Sequence, residues 1–533
     1  MRALHHVFLV IVVTALAASN GGCGFSKRQA ERQADTFRYP IITTPTSFDP
    51  GNVQDGDTLD LLQQIYEGLV TWDTNSRVTG AIAESWESAD GIVWTFHLKE
   101  GVTFHNGREV EASDVKWSIE RACRSGVQSV TIDAYLSDIV GLSECADPEN
   151  PINEVSGIKV IDKYTIEITL KQKTPYFLGK LTYLVSAVLP KEAVPLNGKI
   201  SRIEQMVGTG PFRIVKYEPD LLVVLERYEG YHGGPAKTKT IERLIIKDAV
   251  TRLNVYKQGE VDLVMLARQD LDGLMGTEWE KDLKYFDRPA IWYVGLSPAN
   301  YKPFEDVRVR QAFALAIDKK KIVNEYLGGV NTVANGIVPP GVPGHRPDAP
   351  AFEYDPARAR ALLAEAGYPG GRGMPPLELN YREMRPDVRI VGEAVQSMVS
   401  EVLGVEITIR TLEWGAYLEK YNRSELSFFH MRWAADFLDP QNFLSHMLAT
   451  WGPENKFGYS NPEFDALCRR ADTLMDMDER IPLYQQAEDV VLNDAVWIPI
   501  YFQRDVELHR SNVSGLRESL FGHLPHTTVV VER

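Results

Sequence analysis

Trp433-Ala434-Ala435-Asp436-Phe437-Leu438-Asp439-Pro440-Gln441-Asn442-Phe443 sets one carboxylate, Asp436, three residues after a tryptophan and just ahead of an Asp-Pro turn, with apolar residues on both sides. A carboxylate held among aromatic and aliphatic groups is costly unless a cation meets it. Either an internal Arg or Lys answers Asp436, or the cation comes with a ligand. A ligand ammonium group is the reading that makes this segment a binding site. Asp439 followed by Pro440 reads as turn chemistry.

Working outward, strand and helix signals alternate, so the class is mixed α/β. Ile92, Trp94, Phe96 and Leu98 share one face at period two, which predicts a strand with a buried face. Residues 158–161 with 165–170, and 213–217 with 221–227, predict hairpins around Asp162-Lys163 and Pro219-Asp220. Residues 241–247 and 261–266 predict further strands. Beyond about residue 305 the pattern is more helical. Asp306 caps a helix expected to run to Tyr326, and Asp355 with Pro356 opens another that Gly367 closes. A helix over 388–403 ends at Gly404, and the strand 405–412 follows. The helix 478–493 carries Pro482 in its first turn. The strand 496–502 contains Pro499, so it is an edge or bulged strand. Trp86, Trp94 and Trp117 read as core, and Arg308 and Arg310 as partners in helix-surface or interdomain ion pairs.

The chain has 533 residues, enough for about three domains. Its 44% hydrophobic and 24% charged residues are those of a soluble globular protein. A net charge of −16, spread along the chain, argues against nucleic acid or an anionic membrane surface as partner. Residues 7–18 form a short apolar run behind Arg2, and small residues lead to Gly21-Gly22-Cys23: a secretory signal peptide over 1–22. Small residues before a Cys resemble a bacterial lipobox, in which Cys23 is lipidated and anchors the protein to the membrane. Asn20 stands where a lipobox usually has an aliphatic residue, and the other reading is an ordinary cleaved signal. Residues 23–36 read as a polar tether. In an oxidising compartment Cys123 and Cys145, 22 positions apart, are a candidate disulfide, the alternative being two buried thiols. Cys468 reads as core.

No HExxH, Walker A, GxSxG or GxGxxG motif is present, and nothing pairs a nucleophile with a base in sequence. No cofactor is implied and no cysteine has metal-ligand spacing. His523 and His526 have ligand-like spacing but no neighbouring Cys or carboxylate, and read as surface histidines. Gly208-Thr209-Gly210-Pro211-Phe212 reads as a tight backbone crossing rather than a phosphate loop.

Ten phrases then stand in one order. They begin with Ser47-Phe48-Asp49-Pro50, Gln64-Ile65-Tyr66-Glu67-Gly68-Leu69-Val70, Ile82-Ala83-Glu84-Ser85-Trp86 and the run from Trp94 to Gly107. They continue through Asp114-Val115, Gly208 to Phe212, Gly259-Glu260-Val261-Asp262 and Val307 to Ala312 with Ala316-Ile317-Asp318. They end with Trp433 to Phe443 and Tyr459-Ser460-Asn461-Pro462-Glu463-Phe464-Asp465. In this the chain resembles the extracytoplasmic solute-binding proteins of family 5, the oligopeptide- and dipeptide-binding components of ABC importers, over nearly all of 37–533.

The resemblance implies a periplasmic binding protein type II-like fold: two α/β lobes joined by two crossing strands, an interlobe cleft, and a satellite domain. It implies a discontinuous first lobe (37–71, 199–288, 503–533), a satellite domain (72–198) and a second lobe (289–502). It implies a periplasmic or cell-surface receptor, not an enzyme, that traps an oligopeptide or dipeptide and docks on an ABC permease driven by its ATPase. The alternative is a receptor of the same fold for another solute: a nickel chelate, an opine, glutathione or an oligosaccharide. The family's Trp-x-x-Asp falls on Trp433 and Asp436, with Asp436 holding the ligand α-ammonium and Trp433 forming a flat wall. Residues 53–57 are expected nearby. Two departures are Ser297, where the family has Asn, and Arg432, where it often has Gly. Arg432 either answers Asp436 or reaches a ligand carboxylate.

Overall fold

A computed structural model describes residues 35–147, 154–383 and 385–533. The expected signal peptide and Cys23 lie outside the described residues. The end of the expected tether does not: Thr36–Arg38 is a strand paired parallel with Thr240–Leu244, and Asp35 forms an ion pair with Lys239. Among the described residues no helix is long and apolar enough to cross a membrane.

Two long strands organise the molecule. Leu283–Leu296 and Trp497–His509 run antiparallel from Leu283↔Leu508 to Gly295↔Trp497. At roughly 3.3 Å per residue each spans about 45 Å, far beyond an ordinary strand. Residues 288–296 are all buried, and apolar on both faces from Ala290, as a central strand requires. Around this pair a seven-stranded sheet is ordered Leu263–Met265, Trp497–His509, Leu283–Leu296, Phe428–Ala434, Leu377–Arg382, Ile407–Leu412, with Thr332–Val333 also on Trp497–His509. The register slips twice, between Asp287 and Ile291 and between Trp292 and Tyr293. Pro289 lies in the first slip and Pro499, opposite Tyr293, at the second. Pro499 thus marks a bulge in an interior strand rather than an edge.

Two large apolar cores flank the far end of this sheet, one around Val294, Phe313 and Val391, the other around Tyr293, Phe429 and Trp497. Tyr293 and Trp497 stack at 3.6 Å, across the ladder. At the near end, Thr36–Arg38, Thr240–Leu244, Leu222–Arg227 and Phe212–Glu218 form a four-stranded sheet over a third core. A fourth core belongs to the sheet Ala83–Glu87, Val93–Leu98, Thr165–Thr169, Ile158–Val160. There Trp94, Phe96 and Leu98 face inward, as their period predicts, and Trp86 packs on them. Trp117 packs instead on the core of the neighbouring sheet.

Local departures have plain causes. The helix expected over 306–326 stops at Ala316, because Asp318 offers a second cap, accepting from Lys321 N, and the chain restarts as Lys319–Lys321 and a π turn. Arg308 pairs with Asp306 on the surface, but Arg310 is buried and donates to the carbonyls of Phe304, Glu305 and Asp494, not to a carboxylate. A Cβ on Gly208 would lie 2.1 Å from the Ile65 carbonyl oxygen, so the crossing there demands glycine.

The fourth core is locked to the third by charge. Arg121, on the helix Ala112–Ala122, places Nη2 2.6 Å from Asp49 Oδ2, and both side chains are essentially fully buried. The Asp49 carboxylate also accepts from Ile200 N and Gly51 N. Replacing Arg121 with Met strands Asp49 in a dry interior. The expected loss is about 3–5 kcal/mol in urea unfolding; a change below about 1 kcal/mol would mean that water or rearrangement rescues the carboxylate.

Candidate functional site

The strand Phe428–Ala434 pairs with the crossing strand so that Trp292 faces Arg432 and Ile291 faces Trp433. Alternation sends Arg432 and His430 to one side of the sheet and Trp433 and Met431 to the other. After Ala435 N donates to Pro289 O, the chain turns. Asp439 caps the 3-10 turn Pro440–Asn442, accepting from Gln441 N, which is the turn chemistry that Asp-Pro predicts. It also makes a buried two-pronged ion pair with Arg480, 2.8 Å at each prong. Arg480 Nε holds the Ala471 carbonyl. The loop bearing Asp436 is thereby pinned to the helix Met477–Asp494.

Asn442, fully buried, organises the loop from within. Its Oδ1 accepts from Trp433 Nε1 at 3.1 Å and from Asp436 N at 3.0 Å. The Asp436 carboxylate meets Asn442 Nδ2 at 3.4 Å and Tyr135 Oη at 2.8 Å. Both are neutral donors. Among the described residues no Arg or Lys lies within ion-pair distance of Asp436; Lys180 acts at longer range, its ammonium 2.5 Å from Asp138. Burial outweighs these hydrogen bonds and raises the Asp436 carboxyl above its ordinary value of 3.8. A carboxylate offers about four acceptor positions, and two are taken.

Tyr135 comes from the helix Ile132–Leu136 in the fourth core, so Asp436 sits where that core meets the loop after Phe428–Ala434. Tyr135 stacks on Tyr183 at 3.8 Å, and Tyr183 Oη donates to Val53 O at 2.9 Å. The segment 53–57, expected near the site, thus joins Asp436 through two tyrosines. Phe437 stacks on Tyr176 at 5.2 Å and abuts Gly179.

Arg432 does not answer Asp436. It lies on the opposite face, half-buried, with Nε unpartnered, and burial lowers its pKa. Arg382 and Arg385 join it, their guanidinium groups 5.8 and 5.3 Å from the Trp292 ring centre, with Arg382 also 4.7 Å from Trp414. Desolvation, then Arg385 and Arg432, push Arg382 down to about 10. Arg385 pairs with Asp387 at 3.1 Å. Three guanidinium groups facing one carboxylate pair and one tryptophan form an anion-seeking surface. Sequence reading singles out Asp436, Trp433 and Arg432 as candidates and gives no signal for Tyr135, Asn442, Arg382 and Arg385, which the fold places beside them. Only Asn442 lies within the diagnostic phrase; the others are distant in sequence. Ser297 is structural, its hydroxyl donating to Phe457 O.

Cys123, Cys145 and Cys468 are buried free thiols, with Cys123 Sγ donating to the Ile119 carbonyl. His523 and His526 are not surface histidines. His526 is 1% exposed with Nε2 2.6 Å from Tyr39 Oη, and His523 is 8% exposed beside Glu507 and Glu518. Those carboxylates arrive from another strand and across a hairpin, where sequence spacing does not reveal them.

A family model described as bacterial extracellular solute-binding proteins, family 5 middle, matches residues 77–455. Heme-binding protein A of Haemophilus influenzae is 29% identical, the match covering 97% of this chain and 96% of that protein. The periplasmic oligopeptide-binding protein OppA of Escherichia coli is 29% identical over 88% of this chain and 87% of its own. The solved structure of the ABC transporter-associated periplasmic binding protein DppA from Helicobacter pylori, in complex with the peptide STSA, superposes with a TM-score of 0.74 at 25% identity, covering 93% of this chain and 98% of that one. With its crossing strands, its two lobes and satellite domain, and a family match over most of its length, this chain belongs to the bacterial extracellular solute-binding proteins of family 5.

Proposed function

We propose that this protein is the substrate-binding component of an ABC importer that captures short peptides between its lobes and delivers them to a membrane permease. The observation that carries this reading is Asp436: a half-buried carboxylate, desolvated enough to be raised in pKa, with two neutral donors and, among the described residues, no cation within ion-pair distance. A peptide α-ammonium supplies the missing charge. Arg382, Arg385 and Arg432 supply the opposite end, a seat for the peptide carboxylate. Arg432 and Asp436 are four residues apart, at most about 13 Å along an extended chain, a scale that suits a short zwitterion. The names of OppA and of the peptide-bound DppA support the same class of ligand.

The remaining assignments belong to this reading. The lobes are 37–71 with 199–288 and 503–533, and 289–502, with 72–198 as the satellite; the separate sheets, Ala83–Glu87 to Ile158–Val160 apart from Thr36–Arg38 to Phe212–Glu218, support that division. Cys23 carries the lipid anchor after cleavage of 1–22, and the chain acts without catalysis. Cys123 and Cys145, both in the fourth core, pair in the oxidising compartment; alkylation followed by intact-mass measurement reads the loss of two hydrogens directly.

Thermal-shift measurements with free tri- and tetrapeptides should show stabilisation, and Nα-acetylated versions should lose it; equal shifts would dismiss the ammonium at Asp436. C-terminal amidation should weaken binding likewise, and Arg432→Gln should remove that difference between acid and amide. Asp436→Asn should cost about 2–5 kcal/mol of binding. Because the folded protein raises the Asp436 pKa, the ionised group costs stability above its ordinary titration range, so the unliganded Asn variant should melt no lower than the parent. By the same sign, peptide affinity should fall as pH drops through that raised pKa, beginning above the ordinary carboxylate range. A pH-independent affinity between mildly acidic and neutral conditions would contradict the assignment.

A further inference from the structure

We propose that Glu507, His509, Glu518 and His523 form a structural site for one divalent transition metal of the zinc class, where the second crossing strand meets the C-terminal hairpin. Glu507 and His509 are two apart on Trp497–His509 and therefore project to one side of it. Glu518 and His523 are directly opposite one another across the two-stranded ladder Glu518–Ser519 with Gly522–His523. One ligand atom from each lies within 4.8 Å of all the others. His509 Nε2 is 2.7 Å from Glu507 Oε2, and His523 Nε2 is 3.1 Å from that same oxygen. Two imidazole nitrogens and two carboxylate oxygens are a tetrahedral zinc-type donor set.

Two further observations favour a cation at this cluster. His523 is 8% exposed, yet its Nδ1, 3.3 Å from Glu518 Oε1, makes no hydrogen bond, and neither does buried Glu518 Oε2. Unpartnered polar atoms buried side by side are uncommon. Charge gives the second. Nearby Asp60 is paired with Arg243 at 2.7 Å and Asp505 with Arg288 at 2.6 Å. Glu507 and Glu518 are left facing one another across two imidazoles, a carboxylate pair that a divalent cation would hold together. Phe286 of the first crossing strand stacks on His509 at 5.6 Å, so a metal here fastens the hairpin to the strand pair that joins the lobes. The competing occupant is a proton on His523, bridging the two glutamates.

The full chain, stripped with EDTA and titrated with zinc chloride near neutral pH, should bind one zinc per chain by calorimetry. Cobalt(II) should give the visible bands of a tetrahedral N/O site, a readout that needs no variant. Glu518→Gln and His509→Gln should each weaken zinc binding by about tenfold or more. Peptide-induced thermal shifts should persist in both, because neither residue belongs to the cleft. A flat titration, which a proton-only site produces, overturns the proposal. So does zinc bound with equal affinity by the parent and both variants, or an octahedral cobalt spectrum.

Discussion

The antiparallel ladder between Leu283–Leu296 and Trp497–His509 is the constraint from which the other features follow. The seven-stranded sheet is built on it, with Phe428–Ala434 pairing at one end and Leu263–Met265 at the other, beside the separate four-stranded sheet. The strand carrying Arg432 and Trp433 hydrogen-bonds to the first crossing strand, so the loop that bears Asp436 inherits its position from the ladder. The Glu507 and His509 pair sits at the opposite end of the second strand. Slips in register at Pro289 and Pro499 bend the ladder without breaking it, which suits a joint between two rigid bodies.

The carboxylates of this chain's interior differ in how they are answered. Asp49 has Arg121, Asp439 has Arg480, and Glu488 has Arg346 together with the amides of Ile337 and Val338. Each is answered by a guanidinium, and each ties together segments remote in sequence. Asp436 lies three residues from Asp439 and receives only a tyrosine hydroxyl and an amide. The guanidinium nearest in sequence, Arg432, points away with two more of its kind. Opposite charges close in sequence are held apart, Arg432 on the strand Phe428–Ala434 and Asp436 in the loop that follows it.

Periodicity carried the reading where the local environment decides structure. Trp94, Phe96 and Leu98 face inward as their spacing demands, and Gly208 and Gly210 make the close crossing their chemistry suggests. It failed where distant groups compete. The helix after Asp306 restarts at Asp318 because a second cap was available. Arg310 turned to carbonyls rather than a carboxylate. His523 and His526 went from expected surface to buried because the C-terminal segment folds back over Tyr39 and the crossing strand.

The sequence by itself determined the α/β class, the strand patterns, the order of family phrases, and Asp436 with Trp433 as candidate contacts, since these depend on residues close together in the chain. Only the tertiary structure decided what stands around them. Tyr135 reaches Asp436 from 301 positions away, and Arg382 meets Arg432 through neighbouring strands. Electrostatics acts through space and burial, and neither is a property of spacing along a chain. Whether a charge is answered, and by what, therefore becomes visible only once the fold has brought its neighbours together.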